Sequence, residues 1–251
     1  MSFPQLPSKY QEETFVLHES IMPKKVQKAL EGKSKLVIVF DRGLASFIEK
    51  RFKGKEVDGS FGRLSILRRT KEVMLVSSIG IGAPALAATI EYYRRGGIEK
   101  FLTIGTAGIL PETPYGIGEI FIPAQSVRDE GTSHHYLKPG SLVDIPQKTL
   151  YFRSKAALED AGSIVIENIN LSTDAPFRLT EKELNYFRML KVSTVDMELS
   201  TLYALGHFYD LEVCGILVGS DITLSDGTSE SFPALVRERL EWVAEQLISN
   251  E

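Results

Sequence analysis

The chain predicts an α/β fold in which a largely parallel sheet is covered by helices on both faces. Short apolar, β-branched runs recur along the sequence, and amphipathic segments of ten or more residues separate most of them. Several of the runs close directly on glycines or on a carboxylate, as strands do where a sheet carries a ligand beyond its carboxyl edge. With 251 residues, 43% hydrophobic and 25% charged, the chain can bury one sizeable core, and a single domain over residues 1–251 is expected. Residues 1–20 read as an arm docked on a neighbouring subunit.

Residues 36–40 form the first strand candidate, followed by a helix to Phe52 that places Leu44, Phe47 and Ile48 on one face. Residues 63–69 and 73–79 flank Thr70-Lys71-Glu72 as the arms of a hairpin. The second arm runs into Gly80-Ile81-Gly82-Ala83-Pro84, a tight strand-to-helix turn with proline in the first helical turn. An alanine-rich helix then runs to about Arg95 and ends at Gly96-Gly97. Residues 100–104 predict a buried strand that closes on a second glycine turn, Gly105-Thr106-Ala107-Gly108. Residues 111–146 read as short strands and exposed loops. Later come strands at 119–123, 164–171, 192–195 and 213–218, with helices at 147–161, after Glu198, and at 233–249. No internal repeat or low-complexity tract is present.

A formal net charge of −4 supplies no basic field for nucleic acid or an anionic membrane, so small-molecule partners are expected. No window reaches the roughly 18–20 apolar residues of a membrane span, and the chain reads as cytoplasmic. Cys214 is the only cysteine and sits in an apolar run, which excludes an intrachain disulfide and a cysteine-based zinc site. His134 and His135 are adjacent and lack a third ligand in sequence, so they read as a polar loop and no metal is expected.

Glu198 is the residue that packing does not explain. Leu199, Leu202, Tyr203 and Leu205 account for the apolar face of the helix that follows it, and a carboxylate at that mouth can accept hydrogen bonds from sugar hydroxyls. Gly80 and Gly82, ahead of a helix, and Gly105 with Thr106, after another strand, present backbone donors and a hydroxyl to an anion or a sugar. Asp221 closes an apolar strand, where a partly buried carboxyl can serve as an acid. Ser225-Asp226-Gly227 reads as a turn.

Six segments in this order, residues 78–84, 101–110, 127–131, 172–174, 195–204 and 218–221, resemble the nucleoside phosphorylase family of uridine phosphorylase and the hexameric purine nucleoside phosphorylases. The resemblance runs from about His18 onward and implies a central mixed sheet flanked by helices. It implies phosphorolysis of a ribonucleoside to free base and ribose 1-phosphate, with inorganic phosphate as co-substrate and no cofactor. Met197 and Glu198 match the family's Met-Glu pair, whose glutamate holds the ribose 2′ and 3′ hydroxyls; Asp196 stands where a glutamate is usual. Thr106 matches a threonine of the phosphate and ribose site, and Asp221 the aspartate that protonates a purine. His18 resembles the histidine that a neighbouring subunit brings to the ribose 5′ hydroxyl, so a homodimer or larger homo-oligomer with shared sites is implied. Phe177 and Arg178 fall where the family contacts the base.

The same resemblance exposes departures. The family's Gly-Asp-Pro-x-Arg is here Phe40-Asp41-Arg42-Gly43-Leu44, and the arginine before the Ile-Gly-Thr motif is Thr103. Phosphate is ordinarily held by several cations. Arg42 is the expected substitute, with Arg63, Arg128 and Arg178 as further candidates. A nucleosidase that uses water, with Asp41 as its base, and a non-catalytic nucleoside-binding protein are the alternative readings.

Overall fold

The computed structural model describes Leu6, Lys9, Glu12 and residues 22–224 and 228–249. Its architecture is a central mixed sheet flanked by helices, with thirteen strands and seven α-helices among the described residues.

The sheet is organised around Lys100–Ile109 (β5), a ten-residue strand. Lys35–Val39 (β1) lies parallel beside its first half, with Leu36 opposite Phe101, and Val73–Ser77 (β4) is parallel to β1 on the far side. Both β1 and β4 are buried along their whole length, because helices cover both faces there. Glu212–Thr223 (β12) runs parallel along the other side of β5. Val192–Asp196 (β11) pairs antiparallel with the end of β5, placing Val195 opposite Gly108. Ile169–Thr173 (β10) and Gln125–Asp129 (β7) continue the sheet in parallel, and Leu142–Asp144 (β8) closes that edge antiparallel. Gly54–Val57 (β2) and Arg63–Leu67 (β3) form the opposite edge beside β4. Ile120–Phe121 (β6) and Ser229–Ser231 (β13) pair with β12, and Val165–Ile166 (β9) with β6.

Arg42–Arg51 (α2), Ala83–Arg94 (α3), Lys148–Asp160 (α4), Leu199–Tyr209 (α6) and Pro233–Ser249 (α7) cover the sheet. One large core joins β1, β4, β5 and β12 to these helices. α6 is buried from Leu199 through Gly206, and its Leu202, Tyr203 and Leu205 are fully enclosed. Each such side chain contributes on the order of 1.5–3 kcal/mol, which anchors the mouth of α6 next to the sheet's carboxyl edge.

Four features depart from the sequence expectation. Lys24–Leu30 (α1), β2 and Glu181–Met189 (α5) are additional elements, and α5 opens with a reciprocal Thr180/Glu183 capping box. Residues 164–171 are two strands, because β9 pairs with β6 whereas β10 pairs with β7 and β11. β12 continues past Asp221 to Thr223, since β13 extends its ladder. Residues 105–108 form no turn; they are the second half of β5 and pair with β12. A β-carbon on Gly105 would lie 3.3 Å from the Phe40 ring, and one on Gly108 would lie 3.2 Å from Val195 Cγ1. These glycines therefore make room inside a sheet.

Candidate active site

A hydrogen bond joins the segments that follow the carboxyl ends of β4 and β11. Residues 78–82 join β4 to α3, with Gly80 at φ 95° and Gly82 at φ 100°, a left-handed backbone that glycine adopts without a β-carbon clash. The loop ends at the mouth of α3, where helical amides lack partners. The Gly82 N–H donates to Glu198 Oε1 at 2.5 Å. Glu198 occupies the N-cap position of α6, yet its side chain does not cap that helix. Asp196 is the cap instead, since its Oδ2 accepts from the N–H of Leu199 at 2.8 Å and of Glu198 at 3.2 Å. The Glu198 carboxylate is thus turned across to the glycine loop, with Oε1 on the Gly82 amide.

Glu198 is only 8% exposed. Burial pushes its carboxyl up to about 7, the negative charge of Asp196 adds to the rise, and Asp174 adds a little more against the pull of the Gly82 and Met197 amides. Asp196 is also raised, because burial outweighs the donors that hold it, Ser172 and Asn170 foremost. Met197, between them, is half-buried.

The other wall is built by β5 and β12. Thr106 is exposed although Ala107 beside it is buried, so its hydroxyl faces outward from the middle of the sheet. Asp221 is the ladder partner of Gly108, next to an irregularity after Gly219. A β-carbon at Gly108 would stand 3.4 Å from Asp221 Oδ2, which places the carboxylate directly over this strand position. The Ser220 hydroxyl donates to Asp221 Oδ1 at 2.5 Å. Since residues 105–108 are strand, their contribution to a ligand is this open surface and the Thr106 hydroxyl, in place of the amide cradle of a turn.

Arg42 is the first residue of α2, exposed and without an ion-pair partner among the described residues. Asp41 caps α2 by accepting from the Leu44 N–H at 2.6 Å through Oδ1. Leu44 and Thr103 are buried, 1% and 5% exposed, so neither family arginine position offers a cation. Arg63 is paired with Glu49 at 2.9 Å and Glu56 at 3.3 Å. Arg128 donates to Ser133 Oγ at 2.9 Å and to the carbonyls of Lys138 and Leu137, so it binds its own loop. Neither arginine is available as a substitute.

Phe177 and Arg178 lie on a 3₁₀ turn, Pro176–Arg178, shortly after Asp174. Both are exposed, and the Phe177 ring packs against nothing in the described chain. Asp174 accepts from the Gly131 N–H at 2.9 Å, which ties this turn to the loop after β7. His134 and His135 also lie on a 3₁₀ turn, Ser133–His135, and no group of three His, Cys, Asp or Glu side chains among the described residues is arranged to hold a metal. His18 and Ser225-Asp226-Gly227 lie outside the described residues, as does most of the expected arm. No described helix is long and apolar enough to cross a membrane.

A family model described as the phosphorylase superfamily matches residues 36–249. The chain belongs to that superfamily. Within it, the sequence relatives are nucleoside phosphorylases, in keeping with the motif order. A uridine phosphorylase of Thermococcus kodakarensis is 32% identical over 161 residues, 56% of each chain. A guanosine phosphorylase of Halorubrum lacusprofundi is 26% identical over 53% of this chain and 54% of its own length. A purine nucleoside phosphorylase of Plasmodium vivax is 25% identical over 66% and 69%. The chain thus spans a little over half the length of the first two relatives. The crystal structure of an AMP nucleosidase from Bacteroides thetaiotaomicron superposes with a TM-score of 0.69 over 88% of this chain and 90% of that one; at 17% identity it shows the shared fold.

One superfamily-site candidate escaped the sequence. The Arg237 guanidinium on α7 lies 3.6 Å from where a β-carbon on Gly43 would stand, over the first turn of α2 and beside the residue next in sequence to Arg42. It is exposed and has no carboxylate partner among the described residues. Nothing in sequence signals this approach, because α7 is almost two hundred residues from α2. The capping role of Asp196 escaped the sequence as well, since the residue immediately before Leu199, the first helical position, is Glu198.

Proposed function

We propose that this protein cleaves the N-glycosidic bond of a ribonucleoside with inorganic phosphate as the acceptor. The observation that carries the reading is Glu198, a buried carboxylate relieved of capping and turned onto the Gly82 amide through Oε1. A sugar hydroxyl pair is the ligand that such an acceptor suits. As a phosphate oxygen attacks C1′, positive charge develops on the ribosyl ring and the base departs with the bonding electrons. Glu198 orients the ribose and stabilises that charge. Asp221 assists the departing base, and Thr106 with Arg42 and Arg237 holds the phosphate. A homo-oligomer in which His18 reaches a neighbour's ribose completes the proposal. The curated relatives bear names of phosphorylases acting on uridine, guanosine and purine nucleosides, which supports the substrate class and leaves the base open.

A second reading, hydrolysis by water, is favoured by one specific set of facts. Leu44 and Thr103 are buried where family arginines would meet phosphate, and the Gly82 amide is engaged by a carboxylate. Incubation of a ribonucleoside panel with and without phosphate, reading base and sugar products, separates the two. Phosphate-dependent release with ribose 1-phosphate supports the proposal. Release of free ribose at full rate without phosphate rejects it in favour of hydrolysis, and binding without release favours a nucleoside-binding protein.

A further inference from the structure

We infer that Asp196 is a positioning residue: by capping α6 and tying the β11–α6 turn to β10, it fixes the backbone from which Glu198 reaches the Gly82 amide. The inference rests on the reading of Glu198 as the sugar-binding carboxylate.

The carboxylate of Asp196 is bound on every side. Oδ1 accepts from Asn170 Nδ2 at 2.7 Å and from the Ser172 hydroxyl at 2.5 Å, both on β10, where Ser172 is the ladder partner of Asp196. Oδ2 accepts from the amides of Glu198 and Leu199. The donors are themselves oriented. Thr194 Oγ1 donates to Asn170 Oδ1 at 2.9 Å, and Ser172 Oγ accepts the Ser200 N–H at 2.9 Å, so β10 holds both Asp196 and the first turn of α6. One of the groups held is the amide of Glu198 itself, so a shift of Asp196 moves the residue proposed to bind sugar. An aspartate side chain is short enough to accept from amides two and three residues ahead. The glutamate usual here in the family carries one more methylene, and the chain's departure at this position thus coincides with a cap that leaves Glu198 unencumbered.

A merely stabilising cap and a positioning residue are distinguished by the behaviour of Asp196→Asn and Asp196→Ala. Asparagine offers one acceptor oxygen where the carboxylate offers two, so Asp196→Asn can hold the Glu198 and Leu199 amides only by turning its –NH2 toward the Asn170 and Ser172 donors on β10. It should keep the cap, lose the tie to β10 with a few-fold weaker nucleoside binding, and remove the negative charge beside Glu198. The charges facing Glu198 are Asp196 from β11 and Asp174 from the loop after β10. Only the first is lost, so the midpoint of nucleoside binding against pH should move to lower pH. The Ala variant should weaken binding about tenfold, the loss of an orienting hydrogen bond. Kd would be measured by calorimetry with uridine and guanosine between pH 5 and 9, alongside Tm. If the Ala variant folds with native Kd, or, should it fail to fold, if the Asn variant binds with native Kd, the positioning role is overturned. Glu198→Gln serves as the control on the underlying reading. Unchanged binding in that variant, or no binding of either nucleoside by the native protein, overturns the sugar role of Glu198 and the inference with it.

Discussion

Replacing Glu198 with glutamine should make the protein more stable at alkaline pH while impairing its site. An ordinary glutamate titrates near 4.5, whereas burial raises Glu198 to about 7, so the folded chain retains a proton that the unfolded chain has released between these values. Stability contributed by the neutral side chain is complete below the unfolded value, declines as pH rises through that window, and is gone above about 7. At roughly 1.4 kcal/mol for each tenfold step, the interval amounts to about 3 kcal/mol. Glutamine keeps an oxygen for the Gly82 amide and does not titrate. Urea denaturation of both proteins at pH 4.5 and pH 8 should therefore show the variant gaining about 3 kcal/mol on the native protein between the two conditions. A stability difference that is the same at both pH values would refute the buried-carboxylate reasoning. If the expected gain is seen, the native carboxylate is retained at a cost to stability, as expected of a functional acid.

Three further outcomes are expected of the site. Arg42→Ala and Arg237→Ala should each raise the KM for phosphate about threefold to tenfold and leave the nucleoside KM near native, the loss expected for an exposed charge-assisted contact; unchanged phosphate kinetics in the double variant would remove both from the site. Asp221→Asn should lower kcat by about a hundredfold for a purine nucleoside with little change in KM, and equal turnover in steady-state assays would end its assignment to the leaving base. Gly108→Ala places a β-carbon 3.2 Å from Val195 Cγ1, closer than ordinary contact, and 3.4 Å from Asp221 Oδ2, so it should lower Tm through the crowding at Val195, and a native Tm in the variant would count against that crowding.

The main alternation of strands and helices was legible because buried strands and amphipathic helices carry distinct periods, as in β1 followed by α2. The length of β5 was not, because glycine is shared by turns and by strands that must admit a neighbour, and only the pairing with β12 decides between them. α5 had a readable start in Thr180 and Glu183 that the apolar pattern overshadowed. Within the site, Glu198 stood out because packing left it unexplained. Its contact with Gly82, 116 residues away in sequence, depends on how β4 and β11 are arranged about β5 and has no local signature. The approach of Arg237 to α2 is hidden for the same reason. The capping of α2 by Asp41 was not legible either, because a free carboxylate and a helix cap look alike until the Leu44 amide is located.

The role of Glu198 in glycosidic cleavage is tested most directly by the rate of base release from a ribonucleoside, with phosphate present, by the native protein and by Glu198→Gln at pH 8. Native protein should release the base and form ribose 1-phosphate, and the variant should be slower by about tenfold or more, the loss of a charge-assisted contact to the sugar. Equal rates for the two proteins, or no release by the native one, would contradict the role assigned to that carboxylate.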